Sequence, residues 1–381
     1  MPMKFRTYII LFLLLGLLPD LYICLVLLDG APVGWKWLVA FPTIVAFLCL
    51  PPIGAGMWYS NAVRVISYVS FILELPKLVL TLFSLLCRHV FQMGPAAANI
   101  VSIVAGVAVS VLFLTLIFYV TRHLRVHAMD LTFPTLPAAF DGLRICQLSD
   151  LHIGSFDPLC RYIRHIVDTT LSLKPDLIVF TGDLVNFESD ELRPFLRSLS
   201  RLTAPLGVFS IRGNHDYLMH GYYNERQRQE DMRKLLDLER EMGWKVLTNE
   251  SVLLEKGGEA IAVAGVENTS SNAYFLETGG DLQKAFAGIP EGTFSILLSH
   301  DPSHWRSEIV PQTSVPLTLS GHTHGLRYKL VGPISNWRLR ETGGIYTEGD
   351  QVLHVSEGLG SAFSFRMGGY PNIDLITLKR N

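Results

Sequence analysis

The order of apolar and polar positions divides the chain into two unequal parts. Four long apolar runs fill the first 120 residues, at 8–28, 37–58, 65–87 and 94–120. Each run is long enough to cross the roughly 30 Å hydrocarbon core of a bilayer as an α-helix. A cleaved signal peptide would account for the first run only. The pattern therefore predicts a transmembrane helical region at 1–125 with about four spans.

The rest of the chain alternates short apolar runs with amphipathic stretches. After a linker predicted at 126–141, we expect strands at 143–149, 177–181 and 208–212, with helices at 161–173 and 191–202 between them. That βαβαβ order is typical of a parallel sheet covered by helices. A charged helix and five further strands are predicted at 224–242, 261–265, 294–299, 317–320, 352–356 and 373–378. The pattern therefore predicts an α/β domain at 142–381.

Composition agrees with a chain that lies partly in a membrane. Hydrophobic residues make up 49% of the 381 positions and charged residues 17%, whereas soluble domains carry about 25% charge. The net charge of −2 gives no reason to expect nucleic acid as a partner. Five scattered cysteines are too few for a disulfide scaffold.

The flanking charges predict which side of the membrane the second part faces. With an inward N-terminus, the inner flanks of the four runs hold five basic residues and the outer flanks hold two: Lys4, Arg6, Arg64, Arg122 and Arg125 against Lys36 and Arg88. The positive-inside rule then predicts a multi-pass integral protein, expected in a bacterial inner membrane, with a cytoplasmic C-terminal domain. If the third run does not cross, that domain faces the other side.

The third run also carries Glu74 and Lys77, which share one face of a helix because they are three residues apart. Charged residues within a membrane span are candidates for a functional site. The alternative is a pair that neutralises itself at a kink caused by Pro76.

Five predicted strands are followed by segments that carry Asp, Asn and His. These segments are Asp150-Leu151-His152, Gly182-Asp183, Gly213-Asn214-His215-Asp216, His300-Asp301 and Gly321-His322-Thr323-His324. The carboxyl ends of the strands in an α/β sheet form its ligand crevice, so we expect these side chains to converge. Carboxylate, amide and imidazole groups together suit divalent Mn, Fe or Zn.

Taken in this order, the five segments resemble the calcineurin-like metallophosphoesterase superfamily. The flanking sequence resembles its membrane-associated bacterial branch, which includes enzymes that cleave UDP-2,3-diacylglucosamine. The resemblance covers roughly residues 141–378. It implies a four-layer α/β sandwich and hydrolysis of a phosphoric ester or anhydride, with lipid A biosynthesis as a possible setting.

The resemblance also implies a role for each matching residue. One divalent metal would be held by Asp150, His152, Asp183 and His324, and a second by Asp183, Asn214, His300 and His322, with Asp183 bridging the two. His215 would face the substrate as a catalytic group, and Asp216 would orient or tune it. Arg366 matches the closing segment of the branch and becomes a candidate for substrate binding.

Two metals in such a site clamp the attacking and leaving oxygens of a phosphoryl transfer and make hydroxide available near neutral pH. The chain departs from the branch at Leu326-Arg327 and Glu267-Asn268. Neither departure removes a metal ligand, but both leave the substrate open.

Three functions follow as hypotheses. The first is a membrane-anchored, two-metal phosphoesterase or pyrophosphohydrolase acting on a phosphorylated small molecule or lipid-linked substrate such as UDP-2,3-diacylglucosamine. The second is a non-catalytic domain that binds a phosphorylated ligand as a sensor. The third is an outward-facing phosphoesterase acting on phosphates of the cell envelope.

Overall fold

A computed structural model describes residues 13–54, 60–218, 224–270, 279–325, 340–362, 366 and 369–381. The chain divides into two compact units. Among the described residues, the first unit ends at Val120 and the second begins at Thr121.

The described part of the first unit is mostly helical. Its helices are α1 (residues 13–27), α2 (Val33–Gly54), α3 (residues 60–90) and α4 (Pro95–Arg122). Among the described residues, Ala62–Val90 and Pro95–Arg122 are long and apolar enough to cross a membrane, whereas the apolar stretches Leu14–Leu27 and Val33–Cys49 are shorter. The start of the first predicted run and the end of the second lie outside the described residues. Length and composition thus support two of the four predicted spans, and the other two remain predictions.

Three charged residues of the first unit, Asp20, Glu74 and Lys77, contact one another. The ammonium of Lys77 lies 2.5 Å from an oxygen of Asp20 and 2.9 Å from an oxygen of Glu74. The hydroxyl of Thr43 donates a hydrogen bond to the other oxygen of Asp20 at 2.5 Å. Glu74 and Lys77 thus form the pair that the sequence suggested, but Asp20 shares the same ammonium, so the cluster holds two carboxylates and one ammonium.

The second unit contains two mixed sheets. In spatial order, sheet one holds β1 (Arg125–Phe133), β12 (Asn372–Arg380), β2 (Arg144–Leu148), β3 (Leu177–Phe180), β4 (Val208–Ser210) and β5 (Lys245–Val246). Sheet two holds β10 (Gly344–Glu348), β11 (Gln351–Val355), β9 (Leu317–Ser320), β8 (Ser295–Leu298), β7 (Glu259–Gly265) and β6 (Glu250–Lys256). Strands β2 to β5 run parallel, as do β11, β9, β8 and β7.

Helices cover the outer face of each sheet. Helices α5 (Tyr162–Ser172) and α7 (Glu225–Glu241) pack on sheet one, as does the short α6 (Leu196–Leu199). Helices α8 (Leu282–Phe286) and α9 (residues 305–312) pack on sheet two. Each of these layers of helices encloses an apolar core with its sheet. A third apolar core lies between the two sheets and includes Ile145, Val179, Ile296 and Leu319. The order helix, sheet, sheet, helix is the four-layer sandwich that the sequence predicts.

The expected linker at 126–141 is wrong over its first half. Strand β1 occupies Arg125–Phe133 and pairs in parallel with β12, near the end of the chain. Most of its side chains are exposed and only Leu131 and Phe133 are buried, so no apolar run marks it as a strand. Its partner is also more than 200 residues away, which local pattern cannot reveal.

Candidate metal centre

The loops after β2, β3, β4, β8 and β9 meet at the carboxyl ends of their strands. Three groups of side chains form there, and within each group the ligand atoms lie within 4.8 Å of one another. The groups are Asp150, His152 and His324; His152, Asp183 and His215; and Asp183, His300 and His322. Asn214 joins the third group, because its side-chain oxygen lies 3.2 Å from Nε2 of His300. The structure therefore brings together all seven metal ligands that the sequence predicts.

Asp183 lies between the histidines of two groups. Its Oδ2 atom is 3.5 Å from Nε2 of His152 and 3.3 Å from Nε2 of His300. Its Oδ1 atom accepts a hydrogen bond from the backbone N–H of His215 at 2.9 Å. One carboxylate oxygen thus faces both groups, which is the position that a ligand shared by two metals must occupy.

Backbone carbonyls and side chains behind the site orient the imidazoles. Nδ1 of His300 donates to the carbonyl oxygen of Thr181 at 2.7 Å, which turns Nε2 toward Asp183. Nδ1 of His152 lies 2.9 Å from the side-chain oxygen of Asn186. Metal-binding histidines characteristically donate their other N–H to such partners.

The ligands lie on strained backbone. Five of the predicted ligands have positive φ, a region that residues other than glycine rarely adopt: Asp150 (50°), His152 (46°), Asp183 (59°), His322 (73°) and His324 (53°). Such strain persists only where surrounding contacts over-determine it and is concentrated at functional sites. Here the loops after β2 and β3 hold each other, because the N–H of His152 donates to the carbonyl of Asp183 at 3.0 Å.

Two glycines permit the close approach of these loops. Gly182 has a φ of 97°, and a Cβ there would lie 2.6 Å from Nδ1 of His300. A Cβ at Gly321 would overlap the side chains of Ser149 and Asp150. Any larger residue at either position would push a ligand out of place.

Burial and neighbouring charges prepare most of the imidazoles as neutral ligands. Burial lowers the pKa of His152 to about 3, and it also lowers the pKa of His322 and of His324. At His300 burial also acts to lower the pKa, but the charges of Asp183 and Asp150 outweigh it and raise the pKa to about 10. Without metal, His300 is thus an imidazolium beside the Asp183 carboxylate.

Asp216 accepts hydrogen bonds from four backbone N–H groups. Its Oδ2 atom accepts from the backbone N–H groups of Asp183 and Gly213, both at 2.8 Å. Its Oδ1 atom accepts from Leu184 at 2.9 Å and Val185 at 3.1 Å. These four bonds use the lone pairs of the carboxylate, so Asp216 holds two loops together, and its role in orienting or tuning His215 stays a prediction.

The imidazole of His215 contacts a different residue. Its Nδ1 atom lies 3.1 Å from the main-chain carbonyl oxygen of Asn186. The His215 side chain is only half-buried, and its ring packs edge-on against that of His152, with centroids 4.7 Å apart. His215 therefore lies beside the predicted metal ligands with part of its surface open, as expected of a group that faces a substrate.

Arg366 differs from its predicted role. It is 2% exposed, and its guanidinium donates to main-chain carbonyl oxygens, including that of Gly358 at 3.1 Å and that of Gly369 at 3.2 Å. Further bonds reach the carbonyls of Glu357, Gly360 and His324. Since these donors are already used within the protein, Arg366 braces the segment at 357–360 against the loop of His324. Leu326 and Arg327 lie outside the described residues.

Sequence reasoning gave no role to Asn186, although it follows Asp183 by three residues. The side chain and the main chain of Asn186 orient His152 and His215 respectively. The signal in the sequence was a polar residue continuing the Gly182-Asp183 segment after a buried strand.

Two divalent metals fit these residues. The Nε2 atom of His152 is buried and meets no hydrogen-bond partner among the described residues, although it points toward Asp183. A buried polar atom left without a partner is costly, and a cation would satisfy both it and the nearby carboxylates. The donor set of carboxylate, amide and imidazole, without thiolate, suits Mn, Fe or Zn.

Comparison with known proteins places the chain among phosphoesterases. The calcineurin-like phosphoesterase family matches residues 143–326. The chain is 30% identical over 273 residues to an uncharacterized metallophosphoesterase, YkuE, of Bacillus subtilis, a match that covers 68% of this chain and 88% of the relative. It is 28% identical over 306 residues to the UDP-2,3-diacylglucosamine pyrophosphatase LpxG of Chlamydia trachomatis, covering 66% of this chain and 88% of the relative. It is 29% identical to a transmembrane protein with a metallophosphoesterase domain of Bos taurus, covering 50% of this chain and 42% of the relative.

Proposed function

The chain belongs to the calcineurin-like phosphoesterase family and is a hydrolase of phosphoester bonds, and we propose that it is a membrane-anchored pyrophosphohydrolase or phosphodiesterase that works with two divalent metals. The observation that carries the proposal is the position of Asp183, whose Oδ2 atom faces His152 on one side and His300 on the other. A carboxylate between two ligand groups can hold two metals close together, as a two-metal phosphoryl transfer requires.

When bound, the two metals would supply Lewis-acid stabilisation of the phosphoryl oxygens and an activated water. Asp150, His152, Asp183 and His324 would hold one metal, and Asp183, Asn214, His300 and His322 the other. The identity of the metal, Mn, Fe or Zn, is part of what a loading experiment must decide.

His215 has the location and the hydrogen bond needed to act on the substrate. With Nδ1 next to the carbonyl oxygen of Asn186, Nε2 is the nitrogen that we assign to contact a phosphoryl oxygen or to give a proton to the leaving oxygen. Positioned donors of this kind stabilise the charge that develops in the transition state.

A lipid-linked pyrophosphate such as UDP-2,3-diacylglucosamine is the proposed substrate. Two features support it: the similarity to proteins named UDP-2,3-diacylglucosamine pyrophosphatase, and the two helical stretches apolar enough to cross a membrane. An active site anchored to a membrane would reach lipid head groups at the bilayer surface. Lipid A biosynthesis is therefore the setting that we propose for it.

The proposed topology has four spans in a bacterial inner membrane, with both chain ends and the catalytic unit in the cytoplasm. An alkaline phosphatase fused after Asn381 should then be inactive, while a fluorescent protein fused at the same place should mature. An active phosphatase would favour the outward-facing alternative, in which the substrate belongs to the cell envelope.

Hydrolysis assays on the full chain in detergent test the activity. After chelation and addition of Mn²⁺, the protein should hydrolyse bis(p-nitrophenyl) phosphate and UDP-2,3-diacylglucosamine. Asp183→Ala should abolish both activities. Asp168→Asn, which alters an exposed ion pair with Arg201, should leave both unchanged. Hydrolysis of the diester alone would refute the lipid-linked substrate, and hydrolysis of neither by the metal-loaded protein would favour the sensor hypothesis.

A further inference from the structure

We propose that Asn186 is a positioning residue that sets the tautomers of both His152 and His215, and so couples the first metal group to the histidine that faces the substrate. The inference rests on the proposed function, because it assigns Asn186 a part in the same site. It begins from the two contacts of Asn186, at 2.9 Å from its side-chain oxygen to Nδ1 of His152 and at 3.1 Å from its main-chain oxygen to Nδ1 of His215.

The orientation of the Asn186 amide follows from its neighbours. The hydroxyl of Ser155 donates to the carbonyl oxygen of Ser361 at 2.7 Å, because a carbonyl can only accept. Ser155 has therefore given away its only proton and can only accept from Asn186, whose Nδ2 atom lies 2.9 Å away. The NH₂ group of Asn186 thus faces Ser155, and its carbonyl oxygen faces His152.

This orientation determines the tautomer of His152. An amide oxygen cannot donate, so Nδ1 of His152 must carry the proton and Nε2 must carry a lone pair. That lone pair lies on the nitrogen that faces Asp183 at 3.5 Å. A sequence of three hydrogen bonds, starting at a main-chain carbonyl, therefore leaves His152 in the only neutral form that can bind a metal through Nε2.

The main chain of Asn186 acts on His215 by the same logic. A peptide oxygen accepts from Nδ1, so in neutral His215 the Nε2 atom is unprotonated and in the cation both nitrogens are donors. The peptide itself is held in place by Glu191, a buried carboxylate that accepts from the N–H groups of Asn186 at 2.6 Å and Phe187 at 3.1 Å. One residue thus presents two acceptors to two different imidazoles.

Side-chain variants test the step at His152. Asn186→Leu has a similar volume but no acceptor, whereas Asn186→Asp keeps an acceptor facing Nδ1. We expect Asn186→Leu to weaken Mn²⁺ binding about 10- to 100-fold, as loss of such partners does at metal sites. Asn186→Asp should stay within a few-fold of the wild type. Both are measured on the full chain in detergent by competition with a chelator.

A matched control and a spectroscopic readout separate positioning from general destabilisation. Gln351→Leu removes another buried amide, at the start of β11 and so at the opposite end of sheet two from the site. It should lower the melting temperature without changing metal affinity.

The ¹⁵N shifts of labelled imidazoles in the metal-free wild type should place the proton of His152 on Nδ1, and Asn186→Leu should mix the two tautomers.

Two results would overturn the proposal: unchanged metal affinity in Asn186→Leu, or an equal loss in the Leu and Asp variants. Metal binding and imidazole shifts need no substrate. A protein that binds Mn²⁺ as expected but hydrolyses no phosphoester would therefore refute the proposed function while the assignment of Asn186 stood.

Discussion

The carboxylate of Asp216 accepts a hydrogen bond from the backbone N–H of Asp183 at 2.8 Å. The same carboxylate oxygen accepts from Gly213, which lies in the loop after β4, whereas Asp183 lies in the loop after β3. Asp216 therefore ties together the loops that present Asp183, Asn214 and His215. A residue that resembles part of a catalytic pair in sequence is a connector of the site in the structure.

Asp216→Asn should destabilise the protein and reduce its metal content. An amide has one accepting oxygen, so up to two of the four backbone N–H groups would face an NH₂ group instead of an acceptor. Each buried donor left unsatisfied costs about 1–3 kcal/mol. We expect a lower melting temperature for the metal-free protein and less bound metal per chain. A normal melting temperature and metal content, with only kcat reduced, would instead show that Asp216 acts mainly by orienting or tuning His215.

Arg366→Lys should act on stability and leave substrate affinity unchanged. Lysine has three donors on one atom and cannot reach the carbonyls of the segment at 357–360 and of His324 together. We expect a lower melting temperature, with KM for a small diester close to the wild-type value in the folded fraction. A raised KM at an unchanged melting temperature would show that Arg366 contacts phosphate after all.

Metal affinity should rise with pH through the neutral range. Without metal, the charges of Asp183 and Asp150 overcome the effect of burial and raise the pKa of His300 to about 10, so His300 is protonated below that value. A metal must displace this proton, and the cost of doing so falls as pH rises. Between pH 7 and 9 the Kd for Mn²⁺ should therefore fall about tenfold per pH unit for one displaced proton. Calorimetry in two buffers of different ionisation enthalpy counts the protons, and a pH-independent Kd would contradict this account of His300.

His127 should stabilise the edge of sheet one at low pH. The carboxylate of Asp374, 3.6 Å from Nδ1 of His127, raises the pKa of this histidine above 6.5, against the opposing effect of partial burial. When the pKa of a histidine is higher in the folded state than in the unfolded state, its protonation stabilises the fold. This contribution is complete below the pKa of the unfolded state, about 6.5, and is lost as pH rises through the pKa of the folded state. The difference in melting temperature between wild type and His127→Gln should thus be larger at pH 5.5 than at pH 9. The effect should be modest because the side chain is 43% exposed, and an equal difference at both pH values would contradict it.

The strands that the sequence did not predict have a common location. Pattern predicted β2, β3, β4, β7, β8, β9, β11 and β12, which are interior to the sheets. It missed β1, β5, β6 and β10, which are the outermost strands of the two sheets. An interior strand is covered on both faces and appears as a continuous apolar run, whereas an edge strand such as β10 keeps most side chains exposed. The strand with which an edge strand pairs is distant in sequence or set by the tertiary fold, and the local pattern of apolar residues carries no information about it.

For the site, the sequence predicted which residues come together but not which atoms they contact. The spacing of Asp and His after buried strands indicated which residues converge, because strand ends meet at one edge of a sheet. It could not indicate that the oxygens of Asp216 are used by four backbone N–H groups, or that Arg366 is buried against carbonyls. Those facts depend on how loops distant in sequence fold onto one another.

Metal content measured together with activity tests the central claim most directly. Full-length protein purified in detergent, loaded with Mn²⁺ and freed of excess ion, should hold two metals per chain and hydrolyse bis(p-nitrophenyl) phosphate. Asp183→Ala should lose most of its bound metal and at least about 10³-fold in rate, because metal stabilisation of the transition state is worth several kcal/mol. A chain that holds two metals and remains active after Asp183→Ala would contradict the account.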